Sequence, residues 1–209
     1  MEQNVFRRRI LPVLTALFLV FGLTALSHAV LIVSEPVPGE FVVLDEDTNL
    51  MWVQDANLAM TLGDDADGIM NWATAMGWAD GLSYAGYDDW RLPSALNSDG
   101  SGPCNGYGCS DSEMGHLFYV EGVTSSSPSP FTNVQSPYVL STELNSYFVW
   151  HFYMYGLQNT YYTDSNVYYA WAVRSADVAA VPEPGTLFLL GTGLSGLALF
   201  RKRAKRLHG

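Results

Sequence analysis

The sequence predicts an α+β domain, and three observations carry that prediction. Short strand-like runs open the central part of the chain, two segments with helical apolar spacing follow, and from Tyr138 onward apolar residues alternate with a period of two. Helices and strands are thus segregated, which excludes the βαβ alternation of a parallel-sheet protein.

Residues 30–40, with Pro36, Pro38 and Gly39, read as a lead-in. Residues 41–44 and 50–53 read as strands about the turn Asp45-Glu46-Asp47-Thr48-Asn49. An acidic loop, Asp64-Asp65-Ala66-Asp67-Gly68, precedes a helix that Asn71 is placed to cap. Trp72, Ala75, Met76, Ala79 and Leu82 form its apolar face. Gly86 leads into YDDWRLPS (residues 87–94), an extended segment closed by Pro93. Residues 97–110 are rich in Gly, Ser and Pro. Asp111 or Ser112 then caps a shorter helix with Met114, Leu117 and Phe118 on its apolar face. A Ser/Pro-rich loop, residues 125–136, separates it from strands at 138–142, 147–155 and 168–175. In the middle strand Phe148, Trp150, Phe152 and Met154 make an apolar face. Tyr147, Val149, His151, Tyr153 and Tyr155 make an opposite face of aromatic rings with polar tips.

Both ends carry targeting chemistry. Arg7 to Arg9, an apolar stretch at 11–26 and Ser27-His28-Ala29 read as a signal peptide, residues 1–29, cut after Ala29 by signal peptidase. At the other end Pro182-Glu183-Pro184 precedes an uncharged stretch, residues 185–200, and a basic cluster ending at Arg206. Sixteen residues make about 24 Å of helix, a short transmembrane span whose basic flank stays in the cytoplasm. The prolines keep the junction extended and open to a processing enzyme. Triplet, span and basic end, residues 182–206, resemble the bacterial PEP-CTERM sorting signal. That resemblance implies an exosortase of a Gram-negative bacterium as partner and processing near Pro182-Glu183-Pro184. The tail helix is then a temporary membrane tether, and the domain ends at the cell surface or outside the cell, near exopolysaccharide. Residues 176–181 are the linker.

The net charge of −11 hides an asymmetry. Between Val30 and Glu183 only Arg91 and Arg174 face 20 acidic residues, a body near −18. Phosphate backbones would repel it, which excludes nucleic acid as a partner, while cations and basic surfaces are favoured. Cys104 and Cys109 in CNGYGC read as a small-loop disulfide in an oxidising compartment, and their spacing is not the CxxC of redox pairs.

The body holds two histidines, His116 and His151, too few for a typical His-based zinc site, and no HExxH, GxSxG or P-loop. It therefore reads as non-enzymatic, although a Ser-His-Asp triad is set by geometry and stays open. Arg91 and Arg174 read as anchors for an anionic ligand or, preferably, as structural partners of carboxylates such as Asp88 or Asp89. Trp72, Trp90 and Trp171 read as core. The acidic loops, with Asp64, Asp65 and Asp67, offer the oxygen donors calcium takes, without the twelve-residue EF-hand pattern; solvated turns are the default. The Tyr147, His151, Tyr153 and Tyr155 face suits stacking on sugar rings, or cover by a loop or another subunit.

The segments LDEDTNLMW, NWATAMGWADGLSYAGYDDWRLPS, YVLSTE and YYAWAVR, within residues 41–175, resemble in order the Lcl C-terminal domain family, and GYDDWRLPS is the most specific block. The resemblance implies a C-type-lectin-like fold, with two helices packed on a mainly antiparallel sheet and the first and last strands close together. It also implies adhesin-like binding of polysaccharide. The Glu-Pro-Asn, Gln-Pro-Asp and Trp-Asn-Asp triplets of sugar-binding lectins do not occur. The formylglycine-generating enzymes share an RLP segment, but their oxidase chemistry does not carry over to CNGYGC. The expectation is an exported, non-enzymatic surface or extracellular-matrix (exopolysaccharide or biofilm) binding protein. A periplasmic or secreted enzyme on the same fold, or a purely structural matrix protein, are the alternatives.

Overall fold

The computed structural model describes residues 31–165 and 167–176. The expected signal peptide with Ala29, and the tail with Pro182, Glu183, Pro184 and the helix at 185–200, lie outside them. Among the described residues no helix is long and apolar enough to cross a membrane.

Strands β2 (Glu40–Asp45) and β3 (Leu50–Val53) form a hairpin whose turn is closed by Asp45: its Oδ1 accepts the N–H groups of Asp47 and Thr48. Residues 31–37, within the expected lead-in, are strand β1 (Leu31–Val37), which runs antiparallel to β2. Its register slips between Ser34 and Val37, around Pro36, which has no N–H for the ladder and is tolerated on an edge strand. A last strand, which we number β9 (Val173–Ser175), pairs with β3 through Trp52↔Val173 and Met51↔Arg174. The two ends of the domain thus meet in one sheet, in the order β1-β2-β3-β9.

A second sheet has the order β4-β8-β5-β6-β7, from β4 (Ile69–Met70), β5 (Tyr138–Asn145), β6 (Phe148–Tyr153), β7 (Leu157–Tyr162) and β8 (Tyr168–Tyr169). Its pairs are antiparallel except β5 with β8. The expectation of a single sheet is therefore corrected to two. Ala170, Trp171 and Ala172 carry the chain from one to the other, and all three are buried. Trp171 fills the crossing: its ring meets Trp52 at 5.3 Å, Phe131 at 4.8 Å and Tyr138 at 5.1 Å, and its Nε1 donates to Val53 O at 2.8 Å.

Among the described residues three helices flank the sheets. Helix α1 (Leu58–Leu62) is a single turn and a half, stopped by Gly63 at φ 80°. Asn71 caps α2 (Trp72–Asp80), its side chain accepting the Thr74 N–H at 2.9 Å; Ala75 and Ala79 pack with Val139, Val149 and Tyr168 of the second sheet. Ser112 caps α3 (Glu113–Tyr119), accepting the Gly115 N–H at 3.2 Å, while its hydroxyl donates to Cys109 O. Met114 and Leu117 of α3 join Val43, Trp52, Phe152 and Trp171 in the main core.

Gly115 sits where α3 crosses the cysteine loop: a Cβ there would lie 1.7 Å from Cys109 O and 2.7 Å from Ser112 Oγ. The obstacle is backbone, so it cannot rotate away. Gly115→Ala is expected to cost about 3 kcal/mol or more, the upper end for overpacking, read as a lowered urea midpoint. A midpoint equal to wild type would contradict this packing.

Candidate functional site

The two body arginines are fastened to carboxylates. Arg91 makes a fork with Glu113, at 2.8 and 2.7 Å, and Glu113 also accepts the Ser94 N–H at 2.7 Å. Its partner is thus Glu113 rather than Asp88 or Asp89. Arg174 donates to Asp89 at 2.5 and 3.0 Å and stacks 4.0 Å over the Tyr87 ring. That hydrogen bond holds the Asp89 carboxyl below its ordinary range. Asp88 is exposed, and Trp90 is buried with its Nε1 donating to Tyr84 O. The DDWRLPS block is therefore a strap that ties α3 and β9 together.

The three aspartates of the calcium expectation are each turned to a partner of their own. Asp64 accepts the Trp78 Nε1–H, Asp65 Oδ1 accepts the Asp67 and Gly68 N–H groups, and Asp67 accepts the Ile69 N–H. The backbone hydrogen bond from Asp67, foremost, lowers the Asp65 carboxyl. They form a self-closed turn and are not a converging donor set.

The aromatic strand ends apart from the expected pattern. Tyr147 is 70 % exposed at the β5–β6 turn, at the far end of β6 from Tyr155. His151, on the face read as suited to sugar rings or to cover, is 2 % exposed. Tyr153, Tyr161 and Tyr168 crowd its ring at 4.9, 6.3 and 5.8 Å. Its Nδ1 makes no hydrogen bond among the described residues, and burial pushes the imidazole down to about 4. The unfolded ring takes a proton below about 6.5 and the folded one only below about 4, so acidification through that window favours unfolding. The loss is up to about 3 kcal/mol. Thermal melts should therefore drop steeply from pH 6.5 to 4, and His151→Leu should flatten the drop; an unchanged slope in that variant would refute the assignment.

What survives at the surface is an aromatic stripe. Tyr153 stacks on Tyr155 with centroids 4.9 Å apart and planes 24° apart, and Tyr107 follows at 6.5 Å. Tyr155 is 54 % and Tyr107 68 % exposed. Tyr107 belongs to the loop closed by the Cys104–Cys109 disulfide. That loop is stitched to β7: Gly106 and Gln158 exchange backbone hydrogen bonds, and the buried Gln158 amide donates to Ala95 O and Cys104 O. The Tyr119 hydroxyl accepts the Gly108 N–H and donates to Gly156 O, pinning the loop to the β6–β7 turn. In the sequence this loop is marked only by its cysteines. The signal for Tyr107 was an aromatic between two glycines, which no core periodicity explains.

A cleft of about 490 Å³ opens beside α3, with Asp47, Asn97, Asp111, Glu113 and His116 on its wall. Behind it the His116 Nε2 lies 3.6 Å from Asp45 Oδ2 and 3.4 Å from Glu121 Oε1. Burial, then the Asp45 charge, raises the Glu121 carboxyl. His151 takes no part in this cleft.

No curated protein and no solved structure matches the chain. A PEP-CTERM protein-sorting motif is found at residues 180–203, over the tail that follows the domain. The chain is an exported protein sorted by an exosortase toward the cell surface or extracellular space.

Proposed function

We propose that this exported protein is a non-enzymatic binding protein of the cell surface or extracellular matrix, and that it holds glycan on the stripe of Tyr153, Tyr155 and Tyr107. The observation that carries the reading is a row of three tyrosines, Tyr153 stacked on Tyr155 and Tyr107 tilted beside it, two of them largely exposed, on a support held by a disulfide and by buried hydrogen bonds. Rings held in place lose little entropy when a sugar face settles on them, and their hydroxyls remain for its polar edge. The acidic body disfavours polyanionic glycans, so the ligand is a neutral polysaccharide or one bridged by cations. The C-type-lectin-like reading, with the resemblance to the Lcl C-terminal domain family, is supported by the pairing of the last strand of the domain with its early hairpin in the first sheet.

The test is titration of the host's exopolysaccharide into the protein, followed by intrinsic fluorescence. Tyr155→Ala and Tyr107→Ala should each weaken binding about tenfold, or about 1.4 kcal/mol, and Tyr147→Ala should leave it unchanged. Equal binding by all three variants would remove the stripe from the account.

A second reading, a secreted enzyme on the same domain, draws on His116 flanked by two carboxylates beside a cleft. Release of reducing ends from the polysaccharide by wild type, and not by His116→Gln, would replace the binder with that enzyme.

A further inference from the structure

We propose that Asp45, His116 and Glu121 form a binding site for a divalent transition-metal ion, with zinc as its representative. The proposal is independent of the glycan stripe, because it shares no residue with it.

The three residues come from the β2–β3 hairpin, from α3 and from the turn after it, and their donor atoms all lie within 4.8 Å of one another. The spacing is the first argument. His116 Nε2 stands 3.4 Å from Glu121 Oε1 and 3.6 Å from Asp45 Oδ2, beyond the 2.7–3.2 Å of an N–H···O hydrogen bond. Two donors that each lie about 2.1 Å from one ion at the tetrahedral angle are about 3.4 Å apart. The separations therefore suit donors grouped around a common ion better than donors bonded to each other.

Burial of the histidine nitrogen without a hydrogen bond points the same way. Asp45 is 1 % exposed, and its Oδ1 is held by the Asp47 and Thr48 amides, which leaves Oδ2 turned to His116. His116 Nε2 is sealed from solvent and has no hydrogen bond among the described residues. One imidazole proton would serve only one of the two carboxylates, whereas a dication would neutralise both. The amides on Oδ1 orient the carboxylate as outer-shell partners orient metal ligands.

The donor set selects the ion. Calcium and magnesium take oxygen ligands, whereas an imidazole nitrogen beside two carboxylates suits zinc and its first-row neighbours. His116 also lines the 490 Å³ cleft, so the ion and any further oxygen ligand would enter from there.

The experiment uses the full-length protein in detergent, stripped with EDTA and titrated with zinc chloride by calorimetry. One equivalent should bind, calcium should not compete, and cobalt(II) in its place should show the intense visible bands of a four-coordinate nitrogen and oxygen site. His116→Gln and Glu121→Gln should each weaken zinc by more than the roughly 10–100-fold that loss of an outer-shell partner costs. The double change Asp64→Asn and Asp65→Asn should leave it unaltered. Circular dichroism confirms that the variants fold; should either fail, the cobalt spectrum of the wild type decides. Absence of binding, zinc affinity that neither single substitution lowers, competition by calcium, or a weak six-coordinate cobalt spectrum would each overturn the proposal.

Discussion

Trp171→Ala should leave the domain unfolded, or nearly so, at 25 °C. The indole is fully buried where the chain passes from the second sheet to the first, and it touches Trp52, Phe131 and Tyr138. Truncating a buried tryptophan costs about 3–5 kcal/mol in lost burial and residual cavity. The Val53 carbonyl that accepts its Nε1–H would then be stranded in the core, at a further 1–3 kcal/mol or so. Against a typical domain stability of about 5–15 kcal/mol, that sum removes most of the margin. Trp171→Phe keeps much of the ring contact and loses the hydrogen bond, so it should fold with a stability lower by about 1–3 kcal/mol. Near-ultraviolet circular dichroism and urea titration read both variants. A cooperative Trp171→Ala transition within 1 kcal/mol or so of wild type would show that the two sheets do not depend on this junction.

Loss of the exosortase should abolish release of the protein, an all-or-none effect on its location. The sorting motif at residues 180–203 contains Pro182-Glu183-Pro184, after the folded domain and before the apolar stretch, and we propose that the cut falls beside this triplet. In the host strain the intact mass should lack the segment beyond the triplet. In the strain without exosortase the full tail should remain, and the protein should sediment with membranes. Replacing Pro182 and Pro184 by alanine should mimic that loss, because the junction can then continue as helix into the span. An identical, uncut mass in both strains would make the tail a permanent anchor.

The two sets of results bear on different parts of the chain. Trp171 and Gly115 test the packing that holds the stripe and the cleft in place. The tail variants test delivery and leave the domain untouched. A protein that is delivered and folded but does not bind glycan would send attention to the cleft beside α3.

Local chemistry was legible before any fold was known. The caps at Asn71 and Ser112, the hairpin about Asp45 to Asn49, the cysteine loop and the tail each depend on residues a few positions apart. Their physics, a capping oxygen, a turn carboxylate or a proline beside an apolar run, is written within one short segment. Helix α1 escaped because five residues show no period, and β1 escaped because Pro36 within it and Pro38-Gly39 after it resemble a loop. The tertiary structure alone decided what rests on distant pairings. It split the strands into two sheets, buried His151 beneath tyrosines from β6, β7 and β8, and gave Arg91 to Glu113. It also brought Asp45 to His116 and Glu121, and Tyr107 to Tyr155. Each of those contacts is won by burying apolar surface across the whole chain, a free energy that no single segment contains. Destination is therefore determined by the local sequence, while the geometry of the candidate sites is determined only by the fold.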